Sequence, residues 1–306
     1  MDHLLKIVNL KRSSLLVFAL LIVACGGGGG SADTDNSNNN SQQNTQIVDF
    51  STKTDAEITA LAGNAVIAGG AENETDEVDL NVGAGVIQTC DNVGGTLDHP
   101  AAPAIYGTYT FVDCQLVSSA IRLDGVFIYA QSTLAGFNDS FTFNNVKVIE
   151  GATTITFDGI IYVSETTNGN IEEGTVSTGS SPFTLVIASS KLNGTFTLTN
   201  FNENYTDDTN SHVTVSNTSY TVDSTVIGGK ISVTTTVAVT HFYATEDYPR
   251  SGTYEITDGQ GGKVVATIQG SGLATGIVNL QIDKDGDGIF ESSNDVTWVE
   301  FAEKLS

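Results

Sequence analysis

The stretch ISVTTTVAVTH, residues 231–241, decides the fold of this chain. Most of its odd positions are apolar, while serine or threonine fills most of the even ones. The odd-numbered residues of one predicted face are Ile231, Val233, Val237, Val239, His241 and Tyr243. Alternation with period two and one polar side is typical of an antiparallel strand with one face in solvent. We expect His241 to lie on the apolar face as a core or rim histidine with its hydrogen bonds satisfied.

The same alternation recurs along the chain and is accompanied by a longer repeat. Several strand-like segments are preceded by the same three-residue step, which is an apolar residue, then Asp, Asn or Gly, and then Gly. The segments 110–114 (TFVDC) and 142–146 (TFNNV) occupy matching places upstream of two of these steps. The marked glycines, 34, 35 and 35 residues apart, are Gly125, Gly159, Gly194 and Gly229. A unit of that length fits two long strands with their turns.

The sequence therefore predicts an all-β fold, a repetitive antiparallel meander of about 34-residue, two-strand units. So many strands form a curved sheet, a barrel or a sandwich. Short helical segments are expected at both ends. Thr54 and Glu57 have the spacing of a capping box before an N-terminal helix. Near the C-terminus, Asp295 is the expected cap of a helix with Trp298, Phe301 and Leu305 on one face.

The charge balance excludes one class of function. The 306 residues contain 12 Lys and Arg against 36 Asp and Glu, a net charge of −24. A protein that binds nucleic acid or anionic lipid through its surface needs a basic face. We therefore expect no nucleic-acid partner. The hydrophobic content of 40% is too high for a wholly disordered chain.

The N-terminus has the organisation of an export signal. Residues 15–24 (LLVFALLIVA) form an apolar run that follows three basic residues within 6–12 and precedes Cys25. The run is too short to span a bilayer, which needs about 20 residues. Charge, apolar run and cysteine in this order resemble the signal and lipobox of bacterial lipoproteins. The resemblance implies cleavage after residue 24 and lipidation of Cys25. The alternative is an ordinary secretory signal followed by an unrelated cysteine.

The residues after Cys25 extend the resemblance. Inner-membrane lipoproteins usually carry Asp at the next position, so Gly26 implies the outer membrane, with the periplasmic or surface side left open. Residues 26–46 are five glycines followed almost entirely by Ser, Asn, Gln, Asp and Thr, which predicts a flexible tether like those of surface-exposed lipoproteins. We divide the chain into a signal peptide (1–24), a lipidated cysteine and tether (25–46) and one antiparallel β domain (47–306).

With Cys25 assigned to lipid, Cys90 and Cys114 remain. An even pair of cysteines in an oxidising compartment favours a disulfide. The alternative, a redox or metal pair, lacks both a CxxC spacing and neighbouring histidines.

The sharpest local motif is DKDGDGIFE, residues 283–291. Carboxylates at alternate positions followed by glycine supply the oxygen ligands and the sharp turn that a hard cation requires. The motif resembles the calcium loops of EF-hands and thrombospondin type-3 repeats. By that resemblance the ligands, with Ile289 contributing its carbonyl oxygen, are Asp283, Asp285, Asp287, Ile289 and Glu291. Position 12 is Asn294 where a bidentate acid is usual, so we expect a structural calcium site of modest affinity within 283–295. The alternative is an Asp-Gly β-turn.

Other acidic residues give weaker signals. The acidic run within 72–79 is typical of a solvated loop. Glu203, Asp207 and Asp208 lie in an Asn- and Asp-rich segment that we interpret as a loop, with a second ion site as the alternative.

No catalytic motif is present in the sequence. The leading hypothesis is a non-enzymatic, lipid-anchored binding, adhesion or structural protein of the bacterial envelope, with the membrane and an unknown protein, glycan or small-molecule ligand as partners. A second hypothesis is a carrier of an apolar ligand or lipid, because segments 126–129 and 160–163 are apolar on both faces. A third is a hydrolase that uses paired carboxylates.

Overall fold

The structure is a computed structural model that describes residues 47–70, 90, 94–100, 104, 106–115, 121–189, 193–246 and 248–303. The predictions for the signal peptide, Cys25, the tether and the acidic run at 72–79 fall outside the described residues. So does Leu305 of the C-terminal helix.

Fourteen strands and two helices make up most of the described chain. The helices are α1 (Asp55–Gly70) and α2 (Trp298–Glu303), and a short 3-10 turn, Phe50–Thr52, precedes α1. In chain order the strands are β1 (Thr96–Asp98), β2 (Gly107–Gln115), β3 (Arg122–Gln131), β4 (Asp139–Glu150), β5 (Thr153–Asn168), β6 (Ile171–Ser177), β7 (Phe183–Ala188), β8 (Asn193–Asp208), β9 (Val213–Ser224), β10 (Gly229–His241), β11 (Ser251–Thr257), β12 (Lys263–Gln269), β13 (Ile277–Asp283) and β14 (Ser292–Thr297).

All fourteen strands belong to one antiparallel sheet in meander order, with β1 and β14 at its two edges. β6 and β7 lie end to end between β5 and β8, because β6 pairs with one half of each long strand and β7 with the other. They are one strand position interrupted at residues 178–182. The all-β meander predicted from the alternation is confirmed. Neither helix among the described residues is long and apolar enough to cross a membrane.

Three β-bulges each contain an Asp or Asn residue with positive φ, and two of them lie in the matching segments 110–114 and 142–146. Asp113, Asn145 and Asn200 have φ values of 44°, 51° and 54° and lie where the register of β2, β4 and β8 shifts. Asp and Asn enter this left-handed region more readily than other residues with a side chain. A bulge bends its strand and increases the local twist, so these residues curve the sheet. The matching segments 110–114 and 142–146 are therefore two copies of one bulge.

Only in the first half of the sheet do the repeat glycines lie opposite the bulges. A Cβ atom at Gly125 would lie 2.5 Å from the carbonyl oxygen of Asn145, and one at Gly159 would lie 2.8 Å from that of Pro182. Both glycines therefore permit a close approach of neighbouring backbone in β3 and β5. Gly194 lies instead at the start of β8, and Gly229 begins β10. The roughly 34-residue unit is thus a structural repeat in β3 and β5, and only a recurrence of glycine later.

One face of the sheet carries the hydrophobic core, and we call it the inner face. Its fully buried members include Phe111, Phe127, Phe143, Phe157, Phe183, Leu198, Val222, Ile256, Val264 and Leu280. Burial of each such side chain contributes roughly 1.5–3 kcal/mol. The segments 126–129 and 160–163 place alternate residues in this core and the others on half-buried positions of interior strands.

Helix α1 packs on the inner face against β8–β11 and against α2. The Tyr220 hydroxyl of β9 donates a hydrogen bond to the Ala65 carbonyl at 2.8 Å. The predicted capping box is confirmed, since the Thr54 amide donates to Glu57 Oε2 at 2.8 Å and the Glu57 amide donates to Thr54 Oγ1 at 3.3 Å.

Two local predictions are wrong. The cap of α2 is Thr297, which forms a capping box with Glu300, whereas Asp295 pairs with Asn279 across β13 and β14. In β10, register irregularities after Thr235 turn Val237 away from the core, and it is 58% exposed. Of the two positions expected for His241, core and rim, the structure has the core: the side chain is 4% exposed, with Nε2 2.9 Å from the Glu246 carbonyl oxygen.

The predicted disulfide is present. Cys90 and Cys114 are bonded across a sequence separation of 24 residues. The Cys114 side chain is buried on the inner face immediately after the bulge of β2. The bond therefore fixes a residue ahead of β1 to the second strand of the sheet.

Candidate functional site

The DKDGDGIFE motif forms the connection between β13 and β14. Asp283 is the last residue of β13 and is 1% exposed. Its two carboxylate oxygens accept hydrogen bonds from the amides of Gly286 at 2.8 Å and Gly288 at 3.0 Å. Both glycines have positive φ, and a Cβ at Gly286 would lie 2.5 Å from the Gly261 carbonyl oxygen. The loop therefore wraps around Asp283 in a way that requires glycine.

The remaining acids of the loop face the same point. Asp285 and Asp287 each accept a hydrogen bond from the amide two residues later, and Glu291 Oε2 accepts from the Lys284 amide at 2.8 Å. One carboxylate oxygen from each of the four acids can be chosen so that all lie within 4.8 Å of one another. The structure thus brings together Asp283, Asp285, Asp287 and Glu291 as a group that could hold a metal ion.

Two residues complete the comparison with the predicted loop. Ile289 lies between these acids, and its role through the backbone carbonyl stays a prediction. Asn294 lies in β14 opposite Leu280, so the twelfth position of the motif belongs to the strand and not to the loop.

Lysine 284, the one basic residue of the motif, does not neutralise the acidic group. Its Nζ lies 2.6 Å from Asp55 Oδ1, at the start of α1, and donates to the Lys53 carbonyl oxygen at 3.2 Å. The positive charge is therefore directed away from the four loop carboxylates.

A second group of acids lies on the inner face, at the end of the strands opposite the loop. Cross-strand pairing places Glu172 of β6 directly opposite Thr167 of β5 and Asp207 of β8. The adjacent row consists of Glu165, Gly174 and Tyr205. We call Asp139, Glu165, Glu172, Glu203 and Asp207 the inner-face carboxylates, because their strand positions continue the face of the buried core residues.

Glu172 is the most enclosed of these acids. It is 2% exposed and has no hydrogen-bond partner among the described residues. Burial raises the pKa of Glu172 to about 7, and the negative charges of Glu165 and Asp207 raise it further in the same direction. A pKa of about 7 means that protonated and ionised forms of Glu172 coexist near neutral pH.

Tyrosine and threonine hydroxyls contact the neighbouring acids. Tyr205 donates to Glu165 at 3.3 Å, and Asp207 accepts from Thr214 at 3.2 Å and from Tyr243 at 3.4 Å. Burial raises the pKa of both Glu165 and Asp207 despite these hydrogen bonds. The Tyr205 ring crosses Gly174, where a Cβ would lie 2.3 Å from the ring, so glycine provides the space for this contact.

Asp139, on β4, has a similar environment. It accepts a hydrogen bond from the Tyr106 hydroxyl at 2.9 Å, and burial raises its pKa. The five ion pairs among the described residues use other carboxylates, those of Asp55, Asp113, Asp124, Glu246 and Glu255. Asp139, Glu165, Glu172 and Asp207 therefore take part in none of these five ion pairs, and the charge of His212 acts on Asp207.

Sequence reasoning missed this group because it assigned Glu203, Asp207 and Asp208 to a loop. All three lie in β8, and Asp208 accepts hydrogen bonds from the following turn instead of facing Asp207. The sequence did contain a signal for this group. Glu165 lies two residues after the buried Val163, so both point to the same face of β5. In β8, alternate positions from the buried Phe201 lead to Glu203, Tyr205 and Asp207. Polar residues that continue a core face indicate a polar surface inside the fold.

Comparisons of this chain with protein-family models, with curated proteins and with solved structures give no match.

Proposed function

We propose that this chain is a non-catalytic binding protein of the bacterial outer membrane, anchored by lipid and stabilised by calcium. The observation that carries the calcium part is the convergence of four carboxylates within 4.8 Å. The anchor rests on the order of basic residues, apolar run and Cys25 in the sequence. The binding role rests on Asp139, Glu165, Glu172 and Asp207 of the inner face, which take part in none of the five ion pairs among the described residues.

Calcium suits the loop better than other common metals do. All of its candidate ligands are oxygens, and calcium accepts six to eight oxygen ligands in flexible geometry. Asp283, Asp285, Asp287 and Glu291 would supply carboxylate oxygens, and Ile289 its carbonyl oxygen. Magnesium demands near-ideal octahedral geometry and gives up its water reluctantly, while zinc favours nitrogen and sulfur ligands.

The position of the loop supports a structural role for the ion. The loop joins the last two strands of the sheet, and Lys284 within it contacts the first turn of α1. An ion in the loop would hold Lys284 in place and would thereby connect the β13–β14 edge of the sheet to the N-terminal helix. Asp283 is already fixed by two backbone amides, so part of the site is formed before an ion binds.

The lipid anchor is tested by expressing the full chain in a Gram-negative host with an alkyne-labelled fatty acid. We expect label on the wild-type protein, loss of label on Cys25→Ser, and a mature N-terminus at Cys25 by mass spectrometry. Recovery of an unlabelled chain that begins elsewhere would remove the anchor from the proposal.

The alternative function is a carboxylate-based hydrolase, because strand register places Glu172 directly opposite Asp207. Glycosidases use two carboxyl groups across the scissile bond, one of them with a raised pKa. The proposal of a non-catalytic protein predicts no release of reducing ends from a panel of oligosaccharides. Turnover that is lost in Glu172→Gln and kept in Glu173→Gln would favour the hydrolase instead.

A further inference from the structure

Glu172 is a buried carboxyl group for which the folded chain supplies no hydrogen-bond donor among the described residues. A carboxylate that is 98% removed from solvent normally has hydrogen-bond donors or a counter-charge, because its desolvation is otherwise uncompensated. Glu172 is 2% exposed, has no hydrogen-bond partner among the described residues and faces the negative charges of Glu165 and Asp207. The adjacent Asp207 is 4% exposed. Glu172 is thus a buried acceptor without a donor among the described residues, whereas Asp207 has the hydroxyls of Thr214 and Tyr243 as donors.

The complement that Glu172 lacks consists of hydrogen-bond donors and positive charge. An ionised carboxylate only accepts hydrogen bonds. The hydroxyls of Tyr205 and Tyr243 already donate to Glu165 and Asp207. His212 lies edge-on against Tyr243, with ring centroids 5.4 Å apart. The lysines and arginines in the five described ion pairs are engaged with other carboxylates.

A metal ion does not fit this surface as it fits the loop. Among the described residues, the group of acids whose oxygens gather within 4.8 Å is that of Asp283, Asp285, Asp287 and Glu291. Calcium needs its oxygens at about 2.3–2.6 Å, so its ligands must converge. An ammonium group has three donors at hydrogen-bond distance and spans more widely spaced acceptors. Aromatic rings such as that of Tyr205 attract the same cation.

We infer that the inner-face carboxylates bind the ammonium group of a slender ligand, with Glu172 and Asp207 as its principal acceptors. The ligand is slender because both acids lie inside the curved sheet, next to the turns that join β5 to β6 and β8 to β9. Its ammonium group belongs either to a free amine or to a lysine side chain of another protein. This inference rests on the proposed binding function, and depends on neither the lipid anchor nor the calcium loop.

The test is calorimetric titration of the full chain in detergent, with calcium present, using four compounds. Putrescine and butylamine carry ammonium groups, Nα-acetyl-lysine amide presents the lysine side chain, and 1,4-butanediol is the neutral analogue of putrescine. We expect heat with at least one amine and none with the diol. Tighter binding of putrescine identifies a free amine as the ligand, and tighter binding of the lysine derivative identifies a protein side chain.

Two variants connect the heat to the site. Glu172→Gln keeps the shape of the side chain and removes its charge, and should weaken amine binding about tenfold or more. Glu173→Gln is the matched control, because Glu173 is the exposed neighbour on the opposite face of β6 and should bind as wild type does. Thermal unfolding of each variant verifies that it is folded.

Three results would overturn the inference. The first is no heat with any amine up to about 10 mM, a concentration that detects even weak binding. The second is equal amine binding by wild type and Glu172→Gln. The third is equal binding of putrescine and the diol. If neutral oligosaccharides bind instead and Glu172→Gln weakens them, the ammonium inference fails while the proposed binding function stands. If neither amines nor oligosaccharides bind, both lose their support.

Discussion

Lys284 Nζ lies 2.6 Å from Asp55 Oδ1 and thereby joins the β13–β14 loop to the first turn of α1. The hydrogen bond from Lys284 is the largest cause of the lowered pKa of Asp55. An acid with a depressed pKa in the folded state contributes stability above its unfolded pKa and loses that contribution as pH falls. The contact therefore links the last strands to the first helix most strongly near neutral pH.

Lys284→Met should lower the free energy of unfolding at pH 7 by roughly 0.5–1 kcal/mol, a range that allows for solvent screening of a partly exposed pair. The effect should shrink as pH falls below about 4, where Asp55 becomes protonated in the unfolded chain. Denaturant unfolding at pH 7 and pH 3.5 measures both values. The control is Lys263→Met, whose ion pair with Glu255 at 3.7 Å lies within adjacent strands. An equal loss at both pH values would contradict the account of this contact.

Thr54→Ala should destabilise the protein by about 1 kcal/mol, because it removes the side-chain cap of α1. Thr54→Ser keeps the hydroxyl that receives the Glu57 amide and should restore most of the stability. Thermal unfolding of the three proteins checks this. Equal stability of the Ala and Ser variants would mean that the capping box contributes nothing.

The sequence predicted those features that rest on local chemistry. The alternation of β10 outside residues 235–237, the capping box of Thr54 and the turn-forming glycines of the 283–291 loop all depend on neighbouring residues, and the structure has each of them. The pairing of Cys90 with Cys114 was predicted because the resemblance to a lipobox assigned Cys25 to lipid and left these two cysteines.

Features set by contacts between distant residues could not be predicted in this way. Val237 is exposed because β10 is irregular against β11, and a register shift reverses the face of a residue. Thr297 caps α2 because β14 extends through Asp295, which depends on pairing with β13. The inner-face carboxylates come from strands β4, β5, β6 and β8, and only the register brings Glu172 beside Asp207.

Glu172 should make the stability of the protein fall as pH rises from about 4.5 to 7. Its pKa is raised to about 7 by burial and by Glu165 and Asp207, while an unfolded glutamate titrates near its ordinary value. The folded chain therefore holds a proton that the unfolded chain has lost, and stability declines with pH in that window. The charge of Glu172 also contributes to the raised pKa of Tyr243, which faces the same group from the β10–β11 connection.

Glu172→Gln removes this decline. Its gain in unfolding free energy over wild type should be near zero at pH 4.5 and up to about 3 kcal/mol at pH 8. Glu173→Gln should follow the wild-type pH profile. Melting temperatures at a series of pH values provide the measurement, in the absence of amines. A Glu172→Gln variant that is less stable than wild type at pH 8 would show that the carboxylate is compensated in solution.

Loss of the disulfide should destabilise the fold by about 3 kcal/mol, the chain-entropy value for a loop of this length. The double variant Cys90→Ser with Cys114→Ser, compared with wild type under oxidising and reducing conditions, measures the effect by denaturant unfolding. Reduction should affect wild type and leave the double variant unchanged. A wild-type protein that is insensitive to reductant would contradict the assigned contribution.

Calcium binding by the loop is the central claim, and calorimetric titration of the full chain with calcium tests it most directly. We predict that wild type binds one calcium ion per chain. Asp287→Asn should lose binding, although its amide oxygen can still accept the hydrogen bond from the Ile289 amide. Asp295→Asn should bind as wild type does, because the Asp295 side chain contacts Asn279 outside the loop. Calcium should raise the melting temperature of the wild type and of the Asp295→Asn control. It should leave the melting temperature of Asp287→Asn unchanged. Absence of heat at millimolar calcium in the wild type, or equal binding by all three proteins, would contradict the account.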